Sequence, residues 1–308
     1  MTSPAVVLLN PMAGGAKARA LRAPIRRWLL RHAPGVPLLA PDNADAARAT
    51  LMVIAPQTRV VLVGGDGTLH NMLPALLRCG HRVGLVPAGR DNELSSVLGL
   101  AGLGWEEALR YALHAPTRAI DVGQIDADQQ AYLFISRLAV GHDALYVHHR
   151  VHAPGWLGSG AWASRWASVR AALRSHPFDL RLWINGRLQH DASALGVVIG
   201  NTPDARNRIV ASLVDATFET RVRPTTGRHA LLWARSRPIT LSDGIGNGNG
   251  VDANTPLQWS GATKILIDAS RPLPLTADGE ALPRAARFSV RCLPRALHVA
   301  GRIDDSSG

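Results

Sequence analysis

Short, unbroken apolar runs recur through the first third of the chain, each followed by a segment of helical composition. Ala5-Val6-Val7-Leu8-Leu9 and Val60-Val61-Leu62-Val63 are continuous and rich in β-branched residues. That is the pattern of strands buried on both faces of a parallel sheet. Val36–Leu39 and Val83–Val86 are shorter runs of the same kind. Between them, Ala16–His32 is rich in Ala, Leu and Arg and reads as a helix, with Pro24 expected to kink or split it. Asp45–Ile54, Leu69–Leu77 and Trp105–His114 read as further helices. From Ala119 the pattern changes to short β-type runs: Ala119–Ile125, Tyr132–Leu138, Leu180–Ile184, Leu195–Ile199, Arg228–Ala234, Lys264–Ile267 and Phe288–Cys292. Turn signals such as Asn185-Gly186 and Ser242-Asp243-Gly244 separate them. The expected architecture is an α/β N-terminal domain built on a parallel sheet, residues 1–118, followed by a β-rich antiparallel sandwich, residues 119–292.

Glycine turns follow strands one, three and four of the α/β part. Asn10-Pro11-Met12-Ala13-Gly14-Gly15 ends the first, Gly64-Gly65-Asp66-Gly67-Thr68 the third, and Pro87-Ala88-Gly89-Arg90-Asp91-Asn92-Glu93 the fourth. In a parallel α/β sheet such turns share the carboxyl edge, where ligands bind. A strand that turns on glycines into a helix start presents backbone N–H groups to an anion, which is how phosphate is cradled. Thr68 is placed to cap the helix that follows. Asp66 is the odd member, because a carboxylate repels phosphate unless a cation sits between them or the carboxylate handles a proton. That combination suggests Mg²⁺-assisted phosphoryl transfer. An ordinary strand-to-helix turn is the alternative on these five residues alone.

Composition narrows the partners. The chain has 308 residues, 46% hydrophobic content and a formal net charge of +11, carried mostly by Arg. The charge suits a polyanionic partner: nucleotide, nucleic acid or an anionic membrane surface. An Arg-rich proteome explains it equally well. Cys79 and Cys292 lie far apart without metal spacing, as expected for a reduced cytoplasmic protein. Met1–Asn10 lacks a basic n-region and a long enough apolar run for a signal peptide, and no stretch is long enough to span a bilayer. No internal repeat is visible. Gly244–Gly250 alternates Gly and Asn and reads as a surface loop, and the Asp304–Gly308 tail reads as disordered.

Together these motifs resemble the diacylglycerol kinase catalytic-domain superfamily, and within it the soluble bacterial lipid kinases related to sphingosine kinases. The family pattern runs Asn-Pro-x-(Ser/Ala)-Gly, Gly-Gly-Asp-Gly-Thr, Pro-x-Gly-Thr-x-Asn-Asp, then a late Asp-Gly-Glu and a Pro-Ala-Leu-x-Val ending. The matches here are Asn10–Gly14, Gly64–Thr68, Pro87-Ala88-Gly89 with Asn92, Asp278-Gly279-Glu280, and Pro294-Arg295-Ala296-Leu297-His298-Val299. The resemblance implies a chain end, about residues 293–303, that returns to the first domain. It implies nucleotide contacts at Asn10, Pro11, Ala13, Gly14, Gly64, Gly65, Gly67, Thr68, Gly89, Arg90 and Asn92, with ATP and Mg²⁺ as cofactors. It places Glu280 and Asp278 at a domain cleft facing the phosphates, with Glu280 as base for a lipid hydroxyl and Asp66 as metal or hydroxyl partner; the reverse assignment stays open. Asp215 falls where the family often has an Asp-Gly pair binding a structural Mg²⁺, but Ala216 follows, so a surface role is equally expected. Three departures bear on the nucleotide. Arg90 stands where the family has Thr, Glu93 where it has Asp, and the Thr usually found after the second strand is replaced near Ala40. Arg90 could pair with a phosphate bidentately or fill the site.

Between the β-type runs, Trp162, Trp166, Val169 and Leu173 follow the spacing of one helix face, with Arg165 and Arg174 off that stripe. Such a helix either packs its stripe on the sheet, the simpler reading, or meets a membrane interface or lipid pocket. The His148-His149 pair reads as solvated loop without metal-ligand spacing. The expected activity is an ATP- and Mg²⁺-dependent lipid kinase acting on diacylglycerol, a sphingoid base or a related lipid, in peripheral contact with the inner membrane face. A non-catalytic lipid- or nucleotide-binding relative is the alternative. An NAD kinase shares Gly-Gly-Asp-Gly-Thr and an Asn-Glu pair, but the Asn-Pro turn and Asp-Gly-Glu argue against it. No recognition motif or stacking pattern supports a nucleic-acid partner.

Overall fold

The structure is a computed structural model and describes residues 4–89, 92–157, 160–202, 213–225 and 257–301. Arg90, the Arg228–Ala234 run, the Ser242-Asp243-Gly244 turn, the Gly244–Gly250 loop and the Asp304–Gly308 tail lie outside the described residues. The chain divides into two compact units, one holding the residues up to Val122 together with those from Pro294, the other Gly123–Leu293.

In the first unit the strands are β1 (Ala5–Leu9), β2 (Leu38–Leu39), β3 (Arg59–Gly64) and β4 (Arg82–Pro87). β1 pairs in parallel with β2 and with β3, and β3 with β4. Val60–Val63 and Val83 are fully buried, as the unbroken apolar runs require. Helices α1 (Ala13–His32), α2 (Ala44–Val53), α3 (Asp66–Arg78), α4 (Glu93–Val97) and α5 (Trp105–His114) fill the connections. Pro24 lies inside α1 without dividing it. α3 opens at Asp66, three residues before the expected start, because Gly65 takes the extended N-cap conformation, φ −112 and ψ −171. Thr68 is therefore not the cap but a buried member of the first turn.

The second unit is antiparallel. Its strands are β5 (Thr117–Ala127, entering from the first unit), β6 (Gln130–Phe134), β7 (Arg137–Gly141), β8 (Phe178–Ile184), β9 (Arg187–Gly200), β10 (Phe218–Pro224), β11 (Leu257–Ala262), β12 (Lys264–Ala277) and β13 (Glu280–Ala300). β9 pairs with β8 through its first half and with β7 and β10 through its second. β12 does the same between β8 and β7. The change of partner in β12 falls where its pairing with β13 is irregular, between Asp268 and Leu275, and Pro272 and Pro274 in that stretch cannot donate to a ladder. Two-residue turns with left-handed backbones join the hairpins: Asn185-Gly186 at φ 50 and 81, and Asp278-Gly279 at φ 50 and 91. The last residues of β13 lie in the first unit, where His298 and Val299 extend the parallel sheet beside β4.

Three expectations for this unit change. Tyr132–Leu138 is two strands rather than one, because the N–H groups of Ile135, Ser136 and Arg137 turn to the Asp278 carboxylate at 2.8, 2.7 and 3.1 Å. His148 and His149 sit on a helix, α6 (His142–Val151), and His149 is buried. The Trp-bearing helix is α7 (Ala161–Arg174), and its buried face is the alanine stripe Ala163, Ala167 and Ala171. Most of the predicted Trp stripe points away from the core, with Trp162 and Leu173 each 67% exposed and Val169 43%, while Trp166 is half-buried with its ring edge-on to His149. Small residues on the buried face let the helix approach its neighbours closely, which leaves the large ones outside.

Candidate active site

The three glycine turns of the first unit are braced against one another. The Asn10 side chain donates to Thr68 Oγ1 at 2.8 Å, and its Oδ1 accepts from Met12 N at 3.0 Å. The Asp66 carboxylate accepts from Glu93 N at 2.6 Å and Leu94 N at 3.3 Å, capping the start of α4. Asn92, at φ 46, closes its own loop by accepting from Gly89 N and donating to Gly89 O at 3.0 and 3.1 Å. Thus the side chains that sequence reasoning assigned to the ligand hold the loops in place. Their polarity is used on neighbouring backbone and, for Asn10 and Thr68, on one another, which cannot be read from spacing.

Glycine is required where these loops touch. Gly14 has φ +62, and a Cβ there would stand 2.1 Å from Ala88 O. A Cβ on Gly65 would lie 2.8 Å from Gly89 Cα, and one on Gly89 2.6 Å from Gly65 Cα and from Asn92 Oδ1. Residues at φ > 0 cost a β-carbon about 1–3 kcal/mol before any clash. The Ala88 carbonyl, which Gly14 approaches, gives no signal in the sequence, because an alanine between Pro and Gly carries no chemistry of its own. Pro11 and Ala13 lie at the α1 start, and Gly64 ends β3. The α3 N-terminus carries no side-chain cap. Thr68 N and Leu69 N donate to Gly65 O at 2.9 and 3.2 Å, and the N–H groups of Asp66 and Gly67 lie at the positive end of the helix dipole.

In the second unit, the Asp278 carboxylate organises the 135–137 backbone as described, and Glu280 is exposed at the start of β13. The Asp-Gly-Glu motif is thus a hairpin turn whose first carboxylate holds backbone N–H groups and whose second side chain is exposed. Asp215 accepts from Thr217 N at 3.0 Å in a short turn that places Ala216 at φ 60. No group of three or more His, Cys, Asp or Glu able to hold a metal occurs among the described residues. A buried ion pair went unforeseen: Arg223 Nη2 meets Asp143 Oδ1 at 3.1 Å, with side chains only 3% and 5% exposed. A lone Asp in the Gly-His-Asp start of α6 gives no hint of a partner eighty residues on.

The sequence model of the diacylglycerol kinase catalytic domain matches residues 4–125. A diacylglycerol kinase of Mycobacterium tuberculosis is 29% identical over 198 residues, a match that spans 63% of this chain and 63% of that relative. A probable lipid kinase YegS-like protein of Chromohalobacter salexigens is 32% identical over 111 residues, 34% of each. Among solved structures, a putative diacylglycerol kinase from Bacillus anthracis superposes with a TM-score of 0.73 at 18% identity, with 97% of both chains covered. At that identity the likeness concerns the fold: a mixed α/β N-terminal region and a β-rich C-terminal region. The resemblance carried by the motifs is shown: the diacylglycerol kinase catalytic-domain model matches the first unit, and the similar proteins are named as diacylglycerol and lipid kinases.

Proposed function

We propose that this chain is a lipid kinase that transfers the γ-phosphoryl group of ATP, brought in with Mg²⁺, to a lipid hydroxyl. The observation that carries the reading is the braced set of glycine turns around the uncapped α3 N-terminus. Backbone donors held in fixed positions can bind phosphate oxygens without a side chain in the way. The relatives named as diacylglycerol and lipid kinases support the choice of acceptor class.

The nucleotide fits the residues present. Gly64, Gly65 and Gly67 with the first turn of α3 would take the phosphates, and Asn10, Thr68 and Asn92 would keep the turns rigid. Mg²⁺ fits in a narrower sense. It is commonly held by one or two carboxylates plus substrate phosphates, so a bound nucleotide would supply most of its ligands. Asp66, in the first turn of α3, is the candidate on the phosphate side. Glu280 would take the proton of the attacking hydroxyl. Asp278 would hold the 135–137 turn. Peripheral contact with an anionic membrane belongs to the same reading, supported by the +11 charge and by Trp156 and Trp162, 83% and 67% exposed.

Gly65→Ala tests the nucleotide half. The new methyl must push the Gly89 turn away, so ATP affinity measured by calorimetry should fall about tenfold or more, roughly 1.4 kcal/mol. Unchanged affinity in a folded variant would leave the turns as structure alone.

A further inference from the structure

The second unit contains a cavity of about 420 Å³ enclosed by α6, the end of α7, β8, β12 and β13. Its size is in the range of small-molecule sites. Its lining is unusual in charge. Arg174, Arg271 and Arg284 reach it from three different elements, and among its described lining residues there is no carboxylate. Four histidines, His142, His148, His149 and His176, also line it. His149 is 5% exposed, and its Nε2 has no hydrogen-bond partner among the described atoms. Arg271 is fixed by donating to His176 O at 2.7 Å, and His142 Nδ1 is bonded to Ser175 Oγ at 2.8 Å. The rest of the wall is apolar, with Leu145, Phe178 and Leu273.

We propose that this cavity binds the phosphate of an anionic phospholipid headgroup, with the three arginines on the phosphate oxygens and the apolar wall against the start of the acyl chains. Guanidinium groups match phosphate geometry bidentately, and several cations converging without a counter-charge leave an anion as the natural occupant. The apolar wall and the exposed Leu173 beside Arg174 favour a lipid over a free ion. The histidines agree. His142, His148 and His149 are held below the usual imidazole range, first by desolvation. Neighbouring cations add to this: Arg223 at His142, Arg174 with His152 at His148, and Arg174, His148, Arg170 and His152 at His149. Asp143 opposes the effect at His142, but its carboxylate is engaged by Arg223.

The inference leans on the lipid-kinase reading only for the membrane setting, so its test omits ATP. The full chain is titrated by calorimetry with dihexanoyl phosphatidylmethanol, which has no hydroxyl to phosphorylate, with dihexanoylglycerol and with inorganic phosphate. Phosphatidylmethanol should bind at least tenfold tighter than either of the others. The double variant R174A/R284A, two exposed side chains, should remove that preference while thermal unfolding is unchanged. Equal binding of the neutral lipid would overturn phosphate recognition, and equal binding of inorganic phosphate would overturn the lipid. A double variant that keeps the preference would place the site elsewhere. Failure in any of these leaves phosphoryl transfer from ATP untouched, so the two readings fall separately.

Discussion

Glu280→Gln should reduce single-turnover phosphorylation of an accepted lipid by roughly 10²–10⁴-fold, the usual contribution of a positioned general base. The variant keeps the shape of the side chain and removes the oxygen that takes the proton. Glu280 is exposed at the start of β13, so stability and ATP affinity should be unchanged. Asp66→Asn should behave differently. Its carboxylate accepts charge-assisted hydrogen bonds from Glu93 N and Leu94 N, so the substitution weakens the brace between two turns as well as any contact with metal. ATP affinity and thermal stability should therefore fall together with rate for Asp66→Asn, but rate alone for Glu280→Gln. Near-wild-type turnover in Glu280→Gln would remove it as the base and move the role to Asp66 or Asp278.

Asp143→Ala should cost about 3–5 kcal/mol of folding free energy, because it leaves the Arg223 charge buried without its carboxylate. The double replacement D143L/R223M should recover much of that loss, since apolar side chains of similar size need no counter-charge there. Urea unfolding followed by tryptophan fluorescence measures both. A loss below about 1 kcal/mol in Asp143→Ala would mean that Arg223 is satisfied without Asp143 and that the pair does not anchor α6 to β10.

The sequence made the first unit legible because each strand there is an unbroken apolar run ended by glycine. β1 and α5 begin and end at the expected residues. The misplaced start of α3 has a local cause. Thr68 looks like a cap by residue type, but Gly65 can take the cap conformation and Asn10 claims the Thr68 hydroxyl. The second unit was legible only in outline. Its strands are held by pairings far apart in sequence, and the break at Ile135-Ser136 is imposed by Asp278, over 140 positions later. Helix α7 shows the limit of periodicity most clearly. An apolar stripe at helical spacing is visible, but alanines on another face make the close contact, so Trp162, Val169 and Leu173 stay exposed. The cationic cavity gathers single arginines and histidines from separate elements, and no run or motif announces such a convergence.

If the braced glycine turns serve phosphoryl transfer to a lipid, the wild-type chain must label one. The most direct measurement incubates the wild-type chain with ATP labelled in the γ-phosphate, Mg²⁺ and a panel of diacylglycerol, sphingoid bases and hydroxyl-bearing glycerophospholipids, then separates the lipids. Label is expected in at least one lipid, reduced to near background by Glu280→Gln. Label appearing in NAD instead, or in no lipid while ATP still binds, would contradict it.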